Sequence, residues 1–319
     1  MPPAIVLLLL FAALMHATWN VLLKTASDPL RTAGRSMLVG ACALIPVGLL
    51  GFWVSNQPVI PAEAWRLSFL SGLLEAAYFI FLSAAYRRGD LSLVYPIARG
   101  TAPVLAVGAG VLILGERLEL AGWIGVGLLL IGILGLQKPW AILRRSSQLS
   151  RHTREAAGFA LLTGVTIASY SAVDRDGARL VNPLFYAAML QASMTIFLLL
   201  WISLVVFRER RQPARKPGPI DTGVQEMPSE GPLGRLLGHV WIRAGIGGLI
   251  TVVAYLIVLV AYRYAPLTAV APLRESAIVV ISGWGTYRLK EAVNRRDAAT
   301  RIGLAVVVVI GAVLLAAEG

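Results

Sequence analysis

Runs of about 20 apolar residues, the length a helix needs to cross the hydrocarbon core of a bilayer, recur along the chain between short polar gaps. Ten runs qualify: 3–23, 36–54, 65–86, 91–114, 119–137, 156–174, 183–207, 239–262, 266–287 and 300–317. The pattern therefore predicts ten transmembrane helices. The tenth run, IGLAVVVVIGAVLLAA, is interrupted by nothing polar, whereas the sixth closes on Asp174, Arg175 and Asp176. Two gaps are long. Residues 138–155 form a basic linker, and residues 208–238 combine Pro, Gly and charge in a way that predicts a disordered loop. The opening MPPAIVLLLLFAALMHATWN lacks a basic leader and runs on into TWNVLLK without turn chemistry, so it is a first span rather than a cleaved signal.

Composition agrees. The chain has 319 residues, 57% hydrophobic and only 14% charged, where a soluble domain carries about 25% charged residues. The fold class is an all-α polytopic membrane protein. The net charge of +12 does not point to nucleic acid, because the Lys and Arg fall in the gaps, where they orient helices and meet anionic membrane lipid. Gaps after odd-numbered helices, counted with the run ends that flank them, hold 22 Lys and Arg, and those after even-numbered helices hold five: Arg66, Arg117, Arg175, Arg179 and Arg263. By the positive-inside rule both termini lie outside. The single cysteine, Cys42, is expected to be a packing residue. No residue set has metal-ligand spacing, and there is no nucleotide loop or nucleophile–base pair. No catalytic residue, metal or cofactor is therefore expected.

An internal repeat is visible. YRRGDLSLVYP (86–96) aligns without gaps on YRYAPLTAVAP (262–272), with identities at Tyr86/Tyr262, Arg87/Arg263, Leu91/Leu267, Val94/Val270 and Pro96/Pro272. HATWNVLLK (16–24) answers IASYSAVDR (167–175) more weakly. Two five-helix halves follow, 1–137 and 156–319. Because five is odd, the second half enters from the opposite side, giving inverted repeats related by an axis in the membrane plane.

Polar groups inside spans cost about 2.5–3.5 kcal/mol each when charged and central, so each needs a reason. His16, Asn20, Glu75, Arg99, Gln191, Arg274 and Glu275 are the members of this set. Arg99 follows Pro96 and precedes Pro103, and shares a helix face with Tyr95. The repeat offset of 176 carries Pro96 to Pro272 and Arg99 to Glu275. These two charges should face one central cavity, either paired or parted to grip a zwitterion. Arg274 points elsewhere, toward a carboxylate such as Glu75 or a carbonyl. Glu75 is either salt-bridged or a carrier of a coupling proton, and Tyr78 shares its face. His16 and Asn20 share a face beside Trp19; they line a cavity or make interhelical hydrogen bonds, as do Tyr170, Tyr186 and Gln191. Glu116, in LGERL, is expected to cap the following helix, and the glycines of GWIGVGLLLIGILGL (122–136) are spaced for close helix contact.

The run LSLVYPIARGTAPVLAVGAGVLILGERLELAGWIGVGLLLIGILGL (91–136) resembles the drug/metabolite transporter superfamily, in its EamA-like branch, through its GE-[RK]-L hairpin followed by a glycine-spaced helix. LMHATWNVLLK resembles the first helix of the same repeat, and APLTAVAPLRES with YRLKE is a weaker match in the second half. The resemblance implies ten helices in two inverted repeats, alternating access around a central cavity, and a bacterial inner (plasma) membrane setting, as a monomer or homodimer. Many ten-helix relatives have both termini cytoplasmic, which the loop charges here contradict. The expected function is secondary transport of small polar organic metabolites, amino-acid-like or carboxylate-bearing, by export or exchange, with H+ as the candidate coupling ion. Arg99 would hold the anionic group and Glu75 or Glu275 a cationic group or proton. Tyr78, Tyr95 and Trp19 would hold the body, His16, Asn20 and Arg274 would complete the site, and Pro96 and Pro272 would serve as hinges. The alternatives are a lipophilic-cation exporter using a membrane carboxylate, and a non-transport subunit acting on lipid-linked substrates.

Overall fold

The computed structural model of the chain describes residues 1–55, 59–89, 91–137, 151–211, 239–276 and 295–317. Among the described residues all regular structure is helical. The helices are α1 (Pro3–Lys24), α2 (Pro29–Val54), α3 (Ala62–Tyr86), α4 (Leu91–Leu112), α5 (Leu120–Gln137), α6 (Arg151–Leu180), α7 (Pro183–Arg211), α8 (Val240–Ala261), α9 (Leu267–Glu275) and α10 (Arg295–Ala317). Six of them, α1, α2, α3, α6, α7 and α8, are long and apolar enough to cross a membrane. Leu120–Leu136 and Ile302–Leu315 are shorter apolar stretches. The protein is an integral membrane protein, and its exposed side chains fit that setting: Leu50, Trp53, Leu112 and Val313 all lie on the surface. Cys42, expected to pack inside, is exposed on α2 instead.

Helix ends depart from the apolar runs wherever a polar signal outweighs hydropathy. α2 begins at Pro29, seven residues before the predicted span, because Asp28 caps it by accepting from Arg31 N at 3.0 Å and Pro29 occupies the first turn. α6 takes in the last five residues of the predicted linker, its first turn carrying an Arg151–Glu155 pair at 3.1 Å. It also continues past Asp174 to Leu180. The first four residues of the predicted loop 208–238 continue α7. The remainder of that loop, linker residues 138–150 and the second part of the predicted ninth span lie outside the described residues. α4 stays helical through both Pro96 and Pro103, and α9 through Pro272.

Packing follows a reciprocal scheme. α3 lies along α6, and α1 along α8; α4 packs on α6, and α1 on α9. α3 meets α7, and α2 meets α8. α2 pairs with α7, α4 with α9, and α5 with α10. Small residues make several of these contacts. Gly125 of α5 faces Gly311 of α10 so closely that a Cβ on Gly311 would lie 2.7 Å from the Gly125 carbonyl oxygen. A Cβ on Gly248 of α8 would lie 2.3 Å from the Ser36 carbonyl oxygen of α2. Without a hydrophobic drive between helices in lipid, this backbone approach supplies much of the association.

The contrast between neighbouring glycines is testable. Gly248→Ala should lower the thermal stability of the purified protein by about 1–3 kcal/mol, because backbone must move to admit the methyl. Gly245→Ala, where nothing lies within 4 Å of the added carbon, should be neutral or stabilising by up to about 1 kcal/mol. Thermal unfolding in detergent reads both, and equal losses for the two variants would refute the close approach of α2 and α8.

Candidate binding site

α4 delivers Arg99 to the centre of the bundle, where it is 2% exposed. Its Nη1 donates to Glu275 Oε1 at 3.0 Å and to Oε2 at 3.3 Å. Its Nη2 donates to the Tyr78 hydroxyl at 3.3 Å and contacts the His16 ring nitrogen. Four helices, α1, α3, α4 and α9, thus converge on one guanidinium. The same Glu275 oxygen accepts from Arg274 Nε at 3.4 Å, and Arg274 Nη1 donates to Ser171 Oγ at 3.3 Å. The Arg274 guanidinium lies 5.8 Å from the centroid of the Tyr170 ring, a cation–π distance. Sequence spacing separated Arg274 from Glu275 by about 100° of helix. Its long side chain curls back to the neighbouring acid rather than reaching Glu75.

A second polar group sits beside the first. Asp174 of α6, fully buried, accepts from the Tyr186 hydroxyl at 2.9 Å and from the Tyr255 hydroxyl. Glu75 of α3 lies near both Asp174 and Tyr255. Glu75 is buried and has no ion-pair partner among the described residues. The two groups are joined by edge-to-face tyrosines. Tyr78 lies 6.1 Å from Tyr170, and Tyr170 lies 5.9 Å from Tyr255. The result is one continuous network of two guanidiniums, three carboxyls, one imidazole and four tyrosines on seven helices. Tyr95, one turn before Arg99, is half-buried.

Some expected members lie elsewhere. Trp19 is fully buried against Phe79, ring centroids 6.4 Å apart, and a Cβ on Gly247 would strike its ring. It is a packing residue in this conformation, its indole lying against α3 and α8. Asn20 donates back to the His16 carbonyl of its own helix at 2.8 Å. Gln191 donates to the Met37 carbonyl at 3.0 Å and ties α7 to α2. Pro96 and Pro272 lie on helices that pack on each other. A cavity of about 710 Å³ between α2, α3 and α7 is mostly apolar and includes none of the network residues.

Asp174 and Tyr255 were not singled out from sequence. Hydropathy ends the sixth run at Asp174, which makes that residue look like the polar close of a span. The available signal was its spacing of four from Tyr170, which puts both on one face. Tyr255 sits in an otherwise apolar run and carries no local signal. Glu116 also differs from expectation. It does not cap α5. Its Oε1 accepts from Leu267 N at 2.8 Å and its Oε2 from Thr268 N at 2.9 Å, so it caps α9 across the molecule. Gly115, at φ 62°, supplies the left-handed turn that sends the Glu116 carboxylate there.

A family model described as the EamA-like transporter family matches residues 3–137. A protein of Sinorhizobium sp called "Uncharacterized transporter in cobO 3'region" is 30% identical over 124 residues, 39% of this chain and 86% of that protein. The chain belongs to the EamA-like transporter family. A Bacillus subtilis (strain 168) protein called "Uncharacterized transporter YwfM" is 26% identical over 188 residues, 58% of this chain and 59% of that protein. A solved structure titled "Crystal structure of protein" superposes with a TM-score of 0.62 at 18% identity, covering 97% of this chain and 98% of that one, which shows a shared fold. Membership of the EamA-like family makes the protein a membrane transporter with a small-molecule substrate.

Removing one partner of a buried ion pair leaves the other charge stranded, at a cost of about 3–5 kcal/mol. Arg99→Gln alone should therefore destabilise the protein strongly. Arg99→Gln with Glu275→Gln should recover more than half of that loss. Thermal unfolding of the four members of the cycle measures the coupling, and additive effects would mean that the two side chains do not pair.

Proposed function

We propose that this EamA-like protein is a secondary transporter that moves amino-acid-like or carboxylate-bearing metabolites by alternating access, as an exporter or exchanger. The observation that carries the proposal is the Arg99–Glu275 pair at 3.0 Å, whose members are 176 residues apart, the offset of the internal repeat. A zwitterion can take both charges over. Its carboxylate replaces Glu275 on the Arg99 fork, and its ammonium takes the place of Arg99 on Glu275. Loss of the pair and gain of the substrate are then one exchange, so α4 and α9 part when substrate is between them and close when it leaves. Pro96 and Pro272 sit on these two helices and are the hinges in this scheme. The body of the substrate would lie against Tyr78, Tyr95 and Tyr170.

The scheme rests on ten helices arranged as inverted five-helix repeats. Its support is the reciprocity of the packing: α3 on α6 answers α8 on α1, and α4 on α6 answers α9 on α1. Loop charge supports termini outside a bacterial inner membrane. Glu75, near Asp174 and Tyr255 and in no ion pair among the described residues, is the candidate carrier of a coupling proton. The same pair of acids favours the second reading, a lipophilic-cation exporter. Arg99 and Arg274 oppose it, because fixed positive charge beside the site repels cations.

Proteoliposome flux with a panel of labelled amino acids and small carboxylates tests the assignment. Wild type should move at least one of them. The Arg99→Gln/Glu275→Gln variant, chosen because it should remain folded, should lose at least tenfold in rate. Undiminished flux by that variant would remove Arg99 and Glu275 from the site. Flux of lipophilic cations alone would favour the second reading. Glu75→Gln should leave exchange of substrate for substrate intact while abolishing accumulation driven by a pH gradient. A full response to that gradient in the variant would exclude Glu75 as the proton carrier.

A further inference from the structure

Of the five Lys and Arg in the charge-poor set of gaps, four gather at one place. Arg117, Arg175, Arg179 and Arg263 line a single open cavity of about 400 Å³. They come from three separate segments: the α4–α5 turn, the last turns of α6 and the α8–α9 turn. Closeness in sequence therefore does not explain the cluster. Arg175 is the neutralised member, with Glu116 at 2.9 Å and Asp176 at 2.6 Å. Arg179 donates to the Tyr262 carbonyl at 2.8 Å and to the Ala265 carbonyl at 3.4 Å. Those acceptors fix the plane of its guanidinium without cancelling its charge. Arg263 and Arg117 are exposed and form no ion pair among the described residues.

Glu116 cannot balance the remainder. It is 7% exposed, and its oxygens are already taken by Arg175 and by the first two backbone N–H groups of α9. Arg117, Arg179 and Arg263 thus line one cavity without an ion-pair partner of their own among the described residues, although Glu116 and Asp176 bear on Arg179. Residues that served only to mark topology would gain nothing from crowding together. The location adds a second constraint. The adjoining candidate spans end at Leu180 and Ala261, so the cavity opens at the membrane–water boundary. Tyr264, 61% exposed, stands beside it as an interfacial aromatic.

We propose that this cavity is an oxyanion site for a phosphate group, separate from the buried network. Arg179 is the preorganised member, and Arg117 and Arg263 close on the ligand from either side. Several guanidinium forks suit a tetrahedral phosphate, which offers more acceptor oxygens than a carboxylate. The phosphate can belong to an anionic phospholipid headgroup or to a soluble phosphorylated solute. The site touches α9 through Glu116 and Arg175, so occupancy would brace the helix that carries Glu275.

Thermal unfolding of the full-length protein in neutral detergent tests this. One arm titrates inorganic phosphate against chloride at matched ionic strength. The other compares short-chain phosphatidylglycerol with phosphatidylcholine of the same chain length. Wild type should gain a few degrees in Tm, and Arg117→Gln/Arg263→Gln should lose most of that gain while keeping its ligand-free Tm, because both side chains are exposed. Arg66→Gln, a charge loss outside the cavity, should retain the full gain. A response to inorganic phosphate as well as to phosphatidylglycerol supports a soluble phosphate, and a response to phosphatidylglycerol alone supports the lipid headgroup. No shift in either arm, or equal shifts in wild type and the double variant, overturns the proposal.

Discussion

The ion pair between Arg99 and Glu275 is the constraint around which the rest is arranged. A guanidinium at the centre of a helical bundle is costly to insert, and it is retained only with a partner of opposite charge in hydrogen-bond geometry. Glu275 supplies that partner at 3.0 Å. The pair does not stand alone, because Glu275 is shared with Arg274, and Arg99 is shared with Tyr78 and His16. Each added contact satisfies a lone pair or proton that would otherwise be stranded, which is what makes a buried ion pair tolerable. Helices α1, α3, α4, α6 and α9 are therefore held to one another through polar contacts at the same point.

Such a pair contributes little net stability but is expensive to leave half-made. That asymmetry suits a transporter. In the proposed exchange, a solute that offers a carboxylate and an ammonium replaces each partner without stranding the other, whereas water or a lipid tail would not. Next to the pair the balance of charge is uneven, with three buried carboxyls to two buried guanidiniums. Among the described residues Glu75 and Asp174 are in no ion pair, both guanidiniums being paired with Glu275, and the Tyr78–Tyr170–Tyr255 array ties these two acids to the pair. Around this centre the helices approach through glycine, as at Gly125–Gly311 and Gly248. Contacts of that kind specify which faces meet and leave the polar centre free of bulky side chains.

Much of this was legible in the chain. The apolar runs placed the helices to within a few residues wherever hydropathy decided the boundary, as at α1, α5 and α8. They failed where a cap decided it, as at Asp28 and Pro29, and where a helix continued through charge, as α6 does beyond Asp174. The repeat offset aligned Arg99 with Glu275 in the sequence, and the structure pairs the two at 3.0 Å. The offset could not reveal Asp174 and Tyr255. Their importance depends on two side chains from different helices meeting, and neither residue has a repeat partner of matching chemistry.

Glu116 marks the same boundary between the two kinds of information. Its sequence context, a glycine and a helix start, correctly announced a capping carboxylate. The helix it caps is α9, 151 residues away, and local sequence holds no record of that distance. By itself, then, the sequence determined the membrane class, the helices and the charged residues that had to be partnered, since burial in lipid leaves few options for each of these. Only the tertiary structure decided which partner each charge took, which tyrosines joined them, and that the scattered arginines of three turns share one cavity. Those outcomes depend on how helices cross, which is set by close packing between distant segments.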